Sequence, residues 1–270
     1  MPSLSALMTV YHRIDPAELA AALQSLTAQT RPADEVVIVE DGPIGDPLRE
    51  IIDAFVAATD DARVVRLPEN LGSGPASQAG LETILSDFTA RLDADDVAHP
   101  ERFATQLAYV EAHPETDVLG TAVAEFEHSP GDGQKVRALP ETHEEIATYA
   151  LINSPINNPS VMLRTERADR VGGYRDVPHM EDYDLYARLL ADGARFHNLP
   201  EPLTYFRTST SQFERRTKGM FAAERQMQRN LVSYGLISRP RAVFNLVART
   251  AYRLLPTGLL TRVYGALFHK

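Results

Sequence analysis

Three aspartates, Asp93, Asp95 and Asp96, crowd into four positions behind an apolar run in the stretch "TARLDADDVAHPERF" (Thr89–Phe103). Like charges this close repel and raise one another's pKa, so a cation must offset them or they must splay into water. Residues two apart at an extended strand end point the same way, which would let Asp93 and Asp95 address one ligand. Hard oxygen donors in this number suit Mg²⁺ or Mn²⁺ bridging to phosphate oxygens. The competing reading is a helix N-cap with solvated turn residues, and it fits Asp96 best. D-x-D spacing alone leaves both readings open.

Two further acidic clusters and one glycine loop have chemical potential. Glu40-Asp41-Gly42-Pro43 ends an apolar run. An acid there is placed to accept hydrogen bonds from a base or ribose, although Gly and Pro also describe an ordinary turn. "NLGSGPASQAG" (Asn70–Gly80) has Gly72-x-Gly74 at a helix start. It lacks the spacing of the dinucleotide fingerprint. Its glycines allow close approach of backbone to ligand, as they would in a plain turn. Glu181-Asp182 opens a helix, where an acid serves as cap or dipole partner, or as a general base if its neighbour raises its pKa. The eight histidines show no i,i+4 or H-x-H spacing, and there is no G-x-S-x-G elbow and no Walker loop. Cysteine is absent, which removes disulfides, thiolate metal sites and thiol nucleophiles and fits a reducing cytosol.

The elements that must carry these groups alternate. "SALMTVY" (Ser5–Tyr11), "EVVIVED" (Glu35–Asp41), "ARVVRLP" (Ala62–Pro68) and "FTARLD" (Phe88–Asp93) are strand-like. Helical patterns separate them: Asp15–Gln29, with an Asp cap, Pro16 and Leu19, Leu23 and Leu26 on one face; Gly45–Ala58, with a second Asp-Pro start; and Gly74–Asp87. Four β units joined by helices predict a mainly parallel, Rossmann-like α/β sheet flanked by helices. Ligands bind such sheets beyond the carboxyl ends of the strands, which is where the loops after Tyr11, at Asp41 and at Asp93 fall. Further on, Asp117–Glu127, Ser160–Glu166 and Ala194–Arg207 read as extended and Glu181–Gly193 as helix. From about Gln212 the pattern turns helical.

The net charge of −10 conceals an asymmetry. From Arg225 to Lys270 there are eight basic residues and no acid, which leaves −18 on the first 224 residues. An acidic body with a basic, aliphatic tail is not a nucleic-acid-binding pattern across the whole chain, and no nucleic-acid partner is expected, while the tail suits an anionic surface. A helix packed on the domain, or a homo-oligomer contact, are the other readings of that tail. No leader-like N-terminus and no apolar run long enough to span a bilayer appears, so a cytoplasmic protein with peripheral contact at the inner face of the membrane is expected.

In their order and spacing, "MTVYHRIDPAELAAALQSLTAQTRPADEVVIVEDG", "NLGSGPASQAG", "RLDADDVAHPERFATQL", "NPSVMLRTERADRVGGY" and "EDYDLYARLLADG" resemble the family 2 glycosyltransferases of GT-A fold. The resemblance covers about residues 4 to 192 and is greatest to bacterial enzymes that extend exopolysaccharide or lipid-linked surface glycans. It implies a transferase domain over residues 1–210 with a helical basic tail over 211–270. It implies inverting transfer of a hexosyl or deoxyhexosyl group from a nucleotide-sugar donor to a glycan or polyprenyl-linked acceptor. A divalent cation, Mg²⁺ or Mn²⁺, would be held by Asp95 directly, with Asp93 nearer the ribose. Thr9, Tyr11, Asp41 and Gly72 would line the nucleotide, and Asp182 would be the general base with Glu181 as the fallback. Arg215 and Arg216 are candidates for bidentate phosphate contacts. Two departures are Asn157-Asn158-Pro159, where many relatives have Asn-His-Pro, and Pro43, where Ser or Asn is usual. The rival reading from another class is a catalytically inactive nucleotide-sugar-binding regulator or scaffold. A nucleotidyltransferase would carry a Gly- and Arg/Lys-rich loop after the first strand, where "YHRIDP" has only Arg13. A metal-dependent phosphohydrolase would distribute its acids over more loops.

Overall fold

The structure is a computed structural model and describes residues 1–131, 135–208 and 219–253. Arg215, Arg216 and the basic segment beyond Arg253 lie outside the described residues.

Strand β1 (Leu4–Val10) runs parallel to β2 (Glu35–Glu40) on one side and to β4 (Phe88–Arg91) on the other, and β3 (Ala62–Arg66) extends the sheet beyond β2. This is the expected parallel unit. Val36 to Val39 of β2 are all buried, as its unbroken β-branched run requires of a strand covered on both faces. Each such side chain contributes about 1.5–3 kcal/mol by leaving water. The chain moves outward from β1 to β3 and then returns across β1 to β4. That reversal opens a crevice beyond the carboxyl ends of β1 and β4, the place where open α/β sheets take ligands.

Beyond β4 the sheet is mixed. Strand β8 (Met162–Arg164) lies antiparallel between β4 and β6 (Val118–Phe126), and β6 pairs in parallel with β9 (Phe196–Arg207). Short strands β5 (Val97–Ala98) and β7 (Lys135–Arg137) pair antiparallel with β9 and β6. The order among the described residues is β3-β2-β1-β4-β8-β6-β9-β5, with β7 beside β6. The parallel reading therefore holds for the first four β units, and antiparallel pairs extend the sheet past β4.

Alternate side chains of β1 and β2 divide the core. Leu4, Met8, Val36 and Ile38 pack under α1 (Pro16–Thr27), α2 (Asp46–Ala58) and α4 (Arg102–Ala112). Leu7, Val37 and Val39 pack under α3 (Ser73–Leu81), α6 (Thr165–Arg170) and α7 (Glu181–Ala191). Helix α5 (His143–Tyr149) starts with a capping box between Thr142 and Glu145.

Several boundaries differ from expectation for physical reasons. Helix α1 begins as its cap predicts, with Asp15 accepting from the amides of Ala17 and Glu18. At α2 the cap is Gly45 rather than an aspartate, and Asp46 sits in the first turn, where its charge favours the dipole. Helix α3 stops at Leu81, short of the expected Asp87: Thr83 turns its hydroxyl onto the Gly80 carbonyl at 2.7 Å and Ile84 folds into the core. Helix α4 carries no side-chain cap, and only Phe103, Leu107 and Val110 at helical spacing mark it. The expected strand Ser160–Glu166 shrinks to three residues, between a 3₁₀ turn at Asn158–Ser160 and the start of α6 at Thr165.

The described part of the C-terminal region is two helices, α8 (Met220–Ser233) and α9 (Arg239–Arg253). Ala223, Met227 and Leu231 of α8 pack on Val177, Met180, Tyr183 and Ala187. Asn230 and Tyr234 also donate to one oxygen of Asp184 in α7, at 2.7 Å each. No helix among the described residues is long and apolar enough to cross a membrane.

Candidate functional site

Two adjoining cavities of about 400 and 430 Å³ open beyond the carboxyl ends of β1 and β4. The first is walled by Thr9, Tyr11, Asp41, Gly72, Asp93 and Asp95. The second is walled by Asp93, Asn157, Asn158, Glu181, Asp182 and Met220. Ser73, Arg91, Asp93, His179 and Phe206 belong to both and form the partition. Every site residue expected from the sequence that falls among the described residues therefore lines one cavity or both.

The loop beneath the first cavity is tied together by Asp41. Its carboxylate accepts from the amides of Leu71 (2.7 Å) and Gly72 (3.1 Å) and from the Asn70 side chain (3.0 Å). Its neighbour Glu40 is buried and paired with Arg49 and Arg66, so the two acids of this strand end have separate structural partners. Gly42 makes the close approach feasible. It has φ +80°, and a Cβ there would stand 2.5 Å from the Asn70 amide nitrogen. Gly74, in the first turn of α3, meets the chain leading into α7 in the same way, since a Cβ would stand 2.4 Å from the Arg175 carbonyl oxygen.

The acidic turn differs in geometry from the extended end first expected. Strand β4 ends at Arg91, and Asp93–Asp96 is a turn closed by the Asp96 amide on the Asp93 carbonyl at 3.1 Å. This turn, rather than strand alternation, brings Asp93 and Asp95 to one cavity wall. Asp96 is not a helix cap, because α4 begins six residues later. It is buried and accepts from the Arg207 amide at 2.8 Å, and its second oxygen has no partner among the described residues. Burial, then Asp95 and Asp93, hold its pKa well above the usual carboxylate range. Arg207 also donates to the Asp95 carbonyl at 2.9 Å, so β9 supports the turn from behind.

The cation that the crowded acids call for is Arg91. Its guanidinium is buried, meets Asp93 at 3.1 Å, and donates to Ser77 and, at 3.3 Å, to Thr9. Burial alone would favour loss of the charge, but Asp93, Tyr174 and Glu181 outweigh it and hold the pKa above the ordinary arginine value. A charge inside the strand "FTARLD" was the sequence signal for this residue, since arginine is almost never buried without a partner. Replacing Arg91 with Leu is expected to destabilise the fold by about 3–5 kcal/mol, because Asp93 keeps a partly buried charge without its partner. Urea unfolding checks this.

Asp182 lies in the first turn of α7 with one oxygen accepting its neighbour's amide, from Tyr183, at 2.7 Å. It is not the helix cap, a position held by Met180. Burial, then the charge of Glu181, raise its pKa to about 7, against the opposing effects of the Tyr183 amide and Arg91. Helix α7 is held rigidly by the rest of "EDYDLYAR". Asp184 and Arg188 form a buried pair at 2.8 Å, Arg188 donates to the carbonyls of Val171 and Gly173, and the Tyr186 hydroxyl donates to Asn158 at 2.9 Å. Asn158 and Pro159, in the motif that departs from Asn-His-Pro, thus sit in the second cavity, and Asn158 is tied to the helix that carries Asp182.

His179 had no sequence signal beyond its nearness to Glu181. It is the only non-glycine residue with positive φ (64°) among the described residues, and it stands at the partition. Such conformations are several-fold enriched in His, Asn and Asp, and they collect at functional sites.

Asp93 and Asp95 supply hard oxygen donors on one wall, a donor set that fits Mg²⁺ or Mn²⁺ better than a softer metal. Among the described residues no group of three His, Cys, Asp or Glu side chains forms a complete site. An ion held here would need ligands from elsewhere, and the phosphate oxygens of a bound nucleotide are of the right type.

Comparison with known proteins agrees with this geometry. The family model described as "Glycosyl transferase family 2" matches residues 5–170. The amylovoran biosynthesis glycosyltransferase AmsE of Erwinia amylovora is 33% identical over 96% of this chain and 97% of its own length. The UDP-Gal:alpha-D-GlcNAc-diphosphoundecaprenol beta-1,3-galactosyltransferase of Escherichia coli is 31% identical over 100% of this chain and 98% of its own. Among solved structures, S. aureus TarS 1-349 in complex with UDP-GlcNAc superimposes with TM-score 0.69 at 18% identity, over 90% of this chain and 70% of that one. The mannosyltransferase PcManGT from Pyrobaculum calidifontis, in complex with GDP-Man and Mn²⁺, does so with TM-score 0.66 at 16% identity, over 98% and 80%. The fold is GT-A, and the chain belongs to glycosyl transferase family 2.

Proposed function

We propose that this glycosyltransferase moves a sugar with inversion from a nucleotide-sugar donor in the first cavity to an acceptor hydroxyl in the second, with Asp182 as general base. The observation that carries the reading is the shared partition. One cavity is lined by the paired acids Asp93 and Asp95, the other by a carboxylate with a pKa near 7, and Asp93 and Arg91 face both.

In this reading Thr9, Tyr11 and Gly72 line the nucleotide, and Asp41 keeps spare acceptor capacity for the base while anchoring the glycine loop. Asp95 would be the direct ligand of a divalent cation, with Asp93 beside it and nearer the ribose, and the cation would supply positive charge to neutralise the departing diphosphate. The acceptor hydroxyl gives its proton to the Asp182 carboxylate as its oxygen attacks the anomeric carbon. The bond from that carbon to the diphosphate oxygen breaks, and the leaving group takes the electron pair. Burial and Glu181 keep the Asp182 proton affinity high, while the Tyr183 amide and Arg91 hold it low enough for the base to be ionised near neutral pH. The two relatives of known description support a surface-glycan pathway, and the name of the E. coli enzyme supports a lipid diphosphate-linked acceptor.

Calorimetric titration of a nucleotide-sugar panel, with and without Mn²⁺, tests the proposal. One nucleotide class is expected to bind in a metal-dependent way and to be consumed when a lipid diphosphate-linked sugar is added. Binding by no member would overturn the reading. Binding without turnover against any acceptor would favour an inactive nucleotide-sugar-binding protein instead.

A further inference from the structure

Four of the seven exposed large apolar side chains among the described residues lie on α8 and α9. Phe221 is 56% exposed, Val243 64%, Phe244 60% and Val247 63%. Val243, Leu246, Val247 and Thr250 follow helical spacing along one face of α9, and Phe221 of α8 joins Leu246 and Val247 in an almost wholly apolar groove. A second depression, which shares Leu246, is lined by Val232, Val243 and Leu246 together with Arg225, Arg229 and Arg239. These three arginines are exposed and form no ion pair among the described residues. The opposite face of α8 packs on α7, and of the apolar residues that line the two depressions only Val232 and Ala242 also pack against that core.

We propose that the α8–α9 face is a docking surface for an anionic lipid bilayer. An apolar strip rimmed by arginines matches the boundary between acyl chains and anionic headgroups. Arg225, Arg229 and Arg239 put exposed positive charge on the same face. From residue 225 onward the chain carries eight basic residues and no acid, while the rest carries −18 and is repelled from such a surface. The face also adjoins the site. Met220 lines the second cavity, and the next residue, Phe221, lines the apolar groove. A lipid-linked acceptor could thus keep its chain in the bilayer while its sugar enters beside Asp182. That last step rests on the transferase reading; the docking itself does not.

The test is co-sedimentation of the full chain with phosphatidylcholine vesicles, with and without phosphatidylglycerol. Binding is expected only with the anionic lipid and is expected to weaken as salt rises. A basic residue near an anionic surface is worth about 1 kcal/mol, roughly fivefold in partition, so Arg225→Glu/Arg229→Glu/Arg239→Glu should lower binding about 100-fold or more. Val243→Asp/Val247→Asp should also abolish it, and neither variant should lose metal-dependent nucleotide binding, which confirms that each is folded. Absence of wild-type sedimentation, or undiminished binding by both variants, would overturn the proposal. So would a dimer that both variants dissociate in the absence of any lipid binding, because it would assign the face to a second copy of this chain. If vesicles bind but no nucleotide does, the transferase reading fails and the docking surface stands.

Discussion

Replacing Asp182 with Asn is expected to lower kcat by roughly 10²–10⁴-fold, the range for removal of a general base, while donor affinity changes little. Asp182 lines the second cavity and not the first, so the amide leaves the nucleotide contacts in place. The wild-type rate should rise with pH through an apparent pKa near 7, because only the ionised carboxylate accepts the proton. In Asp182→Asn the residual rate should lose that limb. Stability moves in the opposite sense. A carboxyl whose folded pKa is about 7, against roughly 4 in the unfolded chain, binds its proton more tightly when folded. Its contribution therefore falls as pH rises from about 4 to 7 and stays low above that. Asp182→Asn should unfold at a higher temperature than the wild type at pH 8, with the difference shrinking toward pH 4. A variant that is slower, more stable at alkaline pH and normal in donor binding would identify a group kept for chemistry and not for the fold. If Asp182→Asn keeps wild-type kcat, the base is elsewhere, with Glu181 the nearest candidate.

Asp95→Ala is expected to weaken donor binding in Mn²⁺ about 100-fold or more. Loss of even an outer partner of a metal site costs 10–100-fold, and Asp95 is proposed as a direct ligand. Without metal the two proteins should bind the donor equally weakly, so the signature is loss of the metal response and not a general decline. The fold should tolerate the change. The turn is held through the Asp95 carbonyl and the Asp96 carboxylate, both engaged by Arg207, and removal of one charge relieves the repulsion that adds to burial in raising the Asp96 pKa. Calorimetry with and without Mn²⁺ measures the first effect and thermal unfolding in metal-free buffer the second.

Much of this site was legible because its residues sit where strand ends must be. Apolar runs located β1, β2 and β4, and the acids and glycines just past them had to fall in the crevice where the strand order reverses. What stayed hidden depends on contacts distant in sequence. Nothing local to Asp96 distinguishes a cap from a buried anchor; its partner, Arg207, is 111 residues away. The antiparallel insertion of β8 between β4 and β6 is likewise a tertiary choice that a three-residue strand cannot announce. Arg91 is the case in which a signal was present, a lone cation inside an apolar strand, and it answers the question that the neighbouring acids raise. His179 left no trace in composition or periodicity, because its distinction is a backbone conformation.

The proposed transfer is a single displacement by the acceptor hydroxyl, with Asp182 as its base, across the partition between the two cavities. The measurement that tests it most directly is the anomeric configuration of the product, read by NMR from the coupling at the transferred sugar's anomeric proton. With an α-linked nucleotide-sugar donor, the account predicts a β-glycoside. An α-glycoside would contradict it, because retention requires either a second displacement or front-face attack, and neither uses Asp182 as the base described here.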